Sequence, residues 1–183
     1  MPGSEQGLTL LHLARAAIAR ELGFISHDPK PEQWLLENGA TFVTLTLRDR
    51  LRGCIGSLEA YRPLIEDVCQ NAVSAAFRDP RFKPLSKEEF AEVEIEVSWL
   101  SAPQPVPCRD EAEACAQLTP GQDGVILEYG GRRATYLPQV WAQLPEPQDF
   151  IRHLKEKAGL PEDFWSSDIR LSRYSTYNFY EAK

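Results

Sequence analysis

The sequence predicts an α+β protein: antiparallel sheets flanked by helices, arranged as two lobes. Three observations carry that expectation. "ATFVTLTLRDRLRGCIGSL" (40–58) and "DGVILEYGGRRATYLP" (123–138) each read as two β-rich runs around a polar or glycine turn, the pattern of a hairpin. Amphipathic helical stretches are mixed among the strands without the strict alternation that a doubly wound parallel sheet requires. "SAPQPVP" (101–107) is an extended connector with three prolines and a candidate seam between the lobes of a single domain spanning 1–183.

Residues 8–22 place Leu10, Ala14, Ala17, Ile18 and Leu22 on one helical face, and Gly23 follows as a C-cap. "SHDPKPEQW" (26–34) is a loop. The first hairpin turns near Asp49-Arg50. Pro63 opens a helix to about Phe77, with the stripe Ile65, Val68, Cys69, Ala72, Ala75 and Ala76; Pro80 ends it. "AEVEIEVSWL" (91–100) alternates as a strand. Val93, Ile95 and Val97 face one way, and Glu92, Glu94, Glu96 and Ser98 the other. "DEAEACAQL" (110–118) is a short helix. The second hairpin turns at Gly130-Gly131, and Pro138 starts a helical turn. "DFIRHLKEKAGL" (149–160) is a helix with Phe150, Ile151, Leu154 and Ala158 inward, closed by Gly159. "DIRLSRYSTYNFYE" (168–181) is a final strand.

The composition narrows the function classes. A net charge of −7 opposes wholesale nucleic-acid binding, although Arg48, Arg50, Arg52, Arg78, Arg81 and Lys83 give that reading a local footing. The amino-terminal "MPGSEQG" has no secretory pattern and no apolar run spans a membrane, so a cytoplasmic protein with reduced cysteines is expected. His12, His27 and His153 are scattered, and no metal site is expected.

The chemistry centres on "RDRLRGCIGSLEA" (48–60). If this stretch is extended, Leu51, Gly53, Ile55 and Ser57 share one face and Arg52, Cys54 and Gly56 the other, with Arg52 and the thiol about 7 Å apart on the face away from the apolar residues. The guanidinium would favour the thiolate, and the glycines would let a ligand approach the backbone. Equally, Cys54 can be a small core residue, since free cysteine is among the most buried types. In "FRDPRFKP" (77–84) Asp79 can fix an arginine so that a rigid loop presents Arg78, Arg81 and Lys83 to an anionic ligand; the plain alternative is a solvated helix end. Asn71 falls opposite the alanine stripe, where exposure is expected. The row Glu92, Glu94 and Glu96 is either a solvated face or includes one carboxylate paired with Arg52 or poised as a general base. Cys69 reads as core, and Cys108 and Cys115 carry no chemistry.

"LRGCIG" (51–56) resembles the signature hexapeptide of the AMMECR family, whose prokaryotic members are called AmmeMemoRadiSam system protein A. "NAVSAAFRDPRFKPLS" (71–86), "EIEVSWLS" (94–101), "DGVILEYGGRRATYLPQVW" (123–141) and "KAGLPEDFW" (157–165) resemble the family in the same order, so the resemblance runs from about residue 8 to 181. It departs at Lys155, where many members carry a cysteine, so no second thiol is carried over. The resemblance implies two lobes with a cleft between them and the hexapeptide at or near it. It implies as partners a Memo-like protein and a radical S-adenosylmethionine protein. It supplies no reaction and no cofactor. Two functions follow. In the enzyme, Cys54 is the nucleophile, Arg52 tunes it, Glu96 or Asp79 held by Arg81 handles the proton, and the backbone at Gly53 and Gly56 binds an oxyanion. In the adaptor, the cleft recognises a partner segment or small anion and the glycines allow close contact without catalysis; on either reading the ligand-binding residues are Arg52, Gly53, Gly56, Asn71, Asp79 and Arg81.

Overall fold

The computed structural model describes residues 1–27 and 30–182, and the chain falls into two compact units: Met1–Leu100 with Tyr177–Lys183, and Ser101–Thr176. The first unit runs α1 (Ser4–Glu21), α2 (Gln33–Leu36), β1 (Ala40–Leu47), β2 (Arg50–Gly56), α3 (Leu64–Phe77), α4 (Lys87–Glu92) and β3 (Glu94–Leu100). The second runs β4 (Gln104–Pro105), α5 (Glu111–Gln117), β5 (Gly124–Tyr129), β6 (Arg132–Tyr136), a 3₁₀ turn (Pro138–Ala142), α6 (Pro147–Lys157) and β7 (Arg170–Tyr174). β8 (Thr176–Tyr180) then returns to the first sheet. The two antiparallel four-stranded sheets have the orders β2-β1-β3-β8 and β4-β7-β5-β6.

In the first unit, α1 starts four residues earlier than its apolar stripe suggests, because the Gln6 side chain takes the Gly3 N–H at 2.9 Å. Its buried face is Leu10, Leu13, Ala14, Ala17 and Ile18, and Gly23 ends it at a φ of 83°. The loop expected over 26–34 gives way to helix at Gln33; Asp28 and Pro29 lie outside the described residues. α3 packs its stripe on the inner face of the first sheet, against Val43, Leu45, Ile95 and Val97. Each fully buried aliphatic side chain there contributes about 1.5–3 kcal/mol.

The acidic strand proves shorter than its alternation implies. Ser86 caps α4: its Oγ accepts the Glu89 N–H at 3.2 Å while Glu89 Oε2 accepts the Ser86 N–H at 3.0 Å. The strand therefore begins at Glu94, and Glu92 closes the helix instead of joining the sheet. The final strand breaks at Ser175 into β7 and β8, which belong to different sheets.

In the second unit the β5–β6 hairpin turns on Gly130 and Gly131, with φ of 54° and 76°. Trp141 stacks on Phe150, with ring centroids 3.8 Å apart, and its Nε1 donates to the Asp123 carbonyl at 2.7 Å. Lys155 is fully buried; its ammonium donates to Glu111 Oε1 at 2.7 Å and to the Phe164 carbonyl at 3.2 Å. Removing one partner strands the other's charge, whereas replacing the cation with an apolar chain does not. Glu111→Gln is expected to lower stability by about 2 kcal/mol, less than for a pair buried on both sides, because Glu111 is 33% exposed. The pair of Lys155→Met and Glu111→Gln together is expected to recover most of that loss. Urea denaturation of the three variants checks this, and a double variant weaker than Glu111→Gln alone would refute it.

Among the described residues, no helix is long and apolar enough to cross a membrane, and no group of three or more His, Cys, Asp or Glu side chains is placed to hold a metal ion.

Candidate functional site

β2 is an edge strand, paired on one side with β1. The β1–β2 turn is two residues long. Arg48 and Asp49 both sit in the left-handed region, with φ of 51° and 60°, and Leu47 pairs with Arg50. Counted back from that turn, Thr44 would face Gly53, and Cys54 would face Val43 and the core. The ladder does not run that way. Between Thr46↔Leu51 and Leu45↔Gly53 one residue of β2, Arg52, has no partner. This β-bulge moves every later residue of β2 to the opposite face. Cys54 thereby pairs with Thr44 on the outer face, away from the buried Val43 and Leu45, and Ile55 takes the inward position opposite Val43. Leu51, before the bulge, pairs with Thr46 and is exposed, where simple alternation puts it with the apolar residues.

Thr44 also pairs with Glu96 of β3. Cys54, Thr44 and Glu96 thus form one row across three strands, with backbones of neighbours about 4.8 Å apart. The Thr44 hydroxyl donates to Cys54 Sγ at 3.3 Å. Burial pushes the Glu96 carboxyl above the ordinary range, partly opposed by hydrogen bonds with Tyr180 and Ser98. Burial, and then the charge of Glu96, push the Tyr180 phenol up in turn. The sequence singles out the two ends of the row, Cys54 and Glu96, and misses the hydroxyls of Thr44 and Tyr180. The alternation of "ATFVTLTL" does set Thr44 opposite to Val43 and Leu45, so its outward aim is legible there.

The free edge of β2 is covered by the turn after α3. Asp79, buried, accepts the Cys54 N–H through Oδ2 at 3.0 Å. It also receives Arg81 as a fork: Nε to Oδ1 at 3.0 Å and Nη2 to Oδ2 at 2.7 Å. The Arg81 hydrogen bonds hold the Asp79 carboxyl well below the usual range, against the opposing effect of burial and with help from the Cys54 and Arg81 backbone N–H groups. Arg81 Nη2 also reaches the Cys54 carbonyl at 3.4 Å. The sequence-based pairing of Asp79 with Arg81 is thus present, and both touch the backbone of Cys54.

Arg52 is placed differently from the expectation. The bulge tips it out of the row, and its guanidinium lies against Glu89: Nε to Oε1 at 3.0 Å, Nη2 to Oε2 at 2.8 Å. Nη2 also donates to the Lys83 carbonyl at 2.9 Å, while Nη1 is buried with no hydrogen-bond partner among the described residues. Bonding to Arg52 is the main reason the Glu89 carboxyl sits low. The arginine joined to Cys54 is Arg81.

The glycines are also accounted for from within. A Cβ on Gly53 would lie 2.1 Å from the Ala75 carbonyl oxygen, and one on Gly56 would lie 2.2 Å from the Phe42 ring. α3 and Phe42 fill the room that the sequence pattern leaves for a ligand. Asn71 is corrected as well: it is buried, not exposed. Its amide donates to the Thr41 carbonyl (2.9 Å), Ser57 Oγ (3.1 Å) and Asp67 Oδ2 (3.0 Å), and its Oδ1 accepts from Arg62 (3.2 Å). A second face of α3, Asp67 and Asn71 one turn apart, packs on these polar groups, so the alanine stripe is not its only buried side. Asn71 belongs to that network and makes none of its bonds to the Cys54 row.

The fold and site define a class: an α+β protein of two compact units whose first sheet carries a bulge-directed thiol on an edge strand. A model of the AMMECR1 family matches residues 11–179. A curated protein of Methanothermobacter thermautotrophicus is 36% identical over 97% of this chain and 95% of its own length, and one of Methanopyrus kandleri is 39% identical over 89% and 82%. The crystal structure of an uncharacterized protein from Pyrococcus horikoshii is similar with a TM-score of 0.79 at 32% identity, covering 97% of this chain and 92% of that one. The chain belongs to the AMMECR1 family.

Proposed function

We propose that this protein is a thiol-dependent component of the AmmeMemoRadiSam system, in which Cys54 reacts with a substrate on the outer face of the first sheet. The observation that carries the reading is the bulge at Arg52. Regular pairing would have buried the thiol as a core residue; the extra residue turns it outward beneath a hydroxyl donor. Cys54 is the nucleophile, and Thr44 holds its sulfur. Glu96, raised by burial and one strand beyond Thr44, exchanges a proton with a substrate lying along the row. The Memo-like and radical S-adenosylmethionine partners rest on family membership, and any radical step belongs to the partner's cofactor. Among the described residues no disulfide joins the cysteines, which suits a reducing, cytoplasmic setting.

Iodoacetamide labelling followed by mass spectrometry tests this. Cys69, packed against the core, is the internal reference. Cys54 is expected to label at least about tenfold faster in the folded protein, a difference of about 1.4 kcal/mol in barrier. Thr44→Val should narrow the gap. Labelling of Cys54 that waits for unfolding would overturn the reading.

The filled space beside Gly53 and Gly56 favours a second reading, a non-catalytic adaptor that binds the same partners. On that reading Cys54→Ala retains capture of the Memo-like protein and all activity of the assembled system. On the thiol reading, capture survives and activity is lost.

A further inference from the structure

We infer that the substrate reacting at Cys54 carries an anionic group, a carboxylate or a phosphate, and that Arg81 receives it; this rests on the thiol reading above. Arg81 differs from an ordinary surface arginine in how it is held. Asp79 grips its Nε and Nη2 and accepts its backbone N–H at 3.1 Å, while its guanidinium lies 5.5 Å from the Phe82 ring centroid. Asp79 is itself buried and fixed to the Cys54 backbone. The side chain is therefore oriented before any ligand arrives, so little rotamer freedom is left to lose on binding.

One nitrogen of this arginine is unused. Its side chain is 53% exposed, and Nη1 has no hydrogen-bond partner among the described residues. Nη2 is within 3.4 Å of the carbonyl of the residue that bears the thiol. The strand edge thus puts a fixed cation beside the nucleophile, in the plane of the sheet, while the thiol projects from its face. The two N–H groups of Nη1 are left to donate to an oxygen of a carboxylate or phosphate.

The charge around it agrees. The chain as a whole carries −7, yet the turn 78–83 holds Arg78, Arg81 and Lys83 against the single carboxylate of Asp79. Arg78 and Lys83 are exposed, and their side chains have no ion-pair partner among the described residues. Arg52 and Arg48, by contrast, are already paired with Glu89 and Glu92. The uncompensated positive charge of this turn belongs to Arg78 and Lys83, three and two residues from Arg81 along the chain.

Two alkylating agents of nearly equal shape separate charge recognition from thiol reactivity. Iodoacetate and iodoacetamide both form a C–S bond as the thiolate displaces iodide, but only iodoacetate carries a carboxylate. The iodoacetate-to-iodoacetamide rate ratio at Cys54 is expected to exceed that at Cys69 by about tenfold and to fall to the Cys69 value in Arg81→Gln. Arg81→Lys keeps a cation against Asp79 without the fork; it should fold as the parent does and give an intermediate ratio. Rapid iodoacetamide labelling with a ratio that Arg81→Gln leaves unchanged would overturn the anion site and leave the thiol standing.

If neither reagent labels the folded protein, the thiol reading falls and a titration with inorganic phosphate decides the anion site by itself. At low salt, phosphate is expected to shift the backbone amide resonances of Cys54 and Arg81 in the parent and not in Arg81→Gln. Unmoved resonances would overturn the site. A larger effect with phosphate than with acetate would assign a phosphorylated substrate; the reverse would assign a carboxylate.

Discussion

Asp67→Ala is expected to destabilise the protein by about 3–5 kcal/mol, the range for removing one member of a buried ion pair. Asp67 is fully buried and receives five hydrogen bonds. Oδ2 takes the Thr41 N–H and hydroxyl, both at 2.7 Å, and the Asn71 amide; Oδ1 takes Ser57 Oγ at 2.6 Å and Arg62 Nε at 2.8 Å. Alanine would leave these donors facing a cavity and Arg62, whose side chain is only 15% exposed, without its counter-charge. The substitution Asp67→Asn does not repair this, because a carboxamide brings two N–H groups into a site built wholly of donors. The midpoint of thermal unfolding should fall by roughly 10 °C. A loss below about 1 kcal/mol in urea would show that the network is dispensable.

Gly53→Ala is the second large effect, about 3 kcal/mol, at the upper end of what overpacking usually costs. The added methyl would meet the carbonyl oxygen of Ala75, which is α3 backbone, at 2.1 Å. No rotamer relieves a clash of main chain with main chain, so β2 must lift from α3. That movement carries Cys54 with it, so slower thiol labelling should accompany the lost stability. Gly56→Ala is the control from the same hexapeptide. Its methyl meets the Phe42 ring, a side chain that can turn aside, and the expected cost is below about 1.5 kcal/mol. Equal costs at the two positions would refute this account of the motif.

Much of the fold is legible in the sequence because it rests on local signals. The hairpins declare themselves through β-branched runs and turn residues, and α3 and α6 through their apolar faces. The break at Ser175 is hidden because "RLSRYSTYNFY" is continuous in character; which sheet each half joins depends on partners far away in sequence. α4 escapes notice although "SKEE" carries a capping signature, because the alternation in "AEVEIEV" extends back over it. The site is legible only in its members. Cys54, Glu96, Asp79 and Arg81 can be picked out by type, but their assembly depends on the bulge at Arg52. A residue without a partner leaves no mark in composition or periodicity, yet it decides whether the thiol faces the core or the outside. Asn71 misleads for a related reason: a helix can bury a polar face when another element supplies matched donors and acceptors, and those come from Thr41 and Ser57.

The return of β8 to the first sheet bears on how the protein is made. The second unit is an insertion: its ends meet where the Ser101 N–H donates to the Ser175 carbonyl and Ser101 Oγ accepts the Ser175 N–H, both at 2.8 Å. Residues 177–181 belong to the first unit, where Glu181 binds the Arg15 guanidinium of α1 and accepts the Ile95 N–H of β3. On the ribosome, α1 and the first three strands emerge early but lack their closing strand until about 75 further residues have been translated. Through that interval the outer edge of β3 is an unpaired strand next to the thiol row, and a nascent chain stalled there would be the form of this protein most exposed to aggregation and to chaperones.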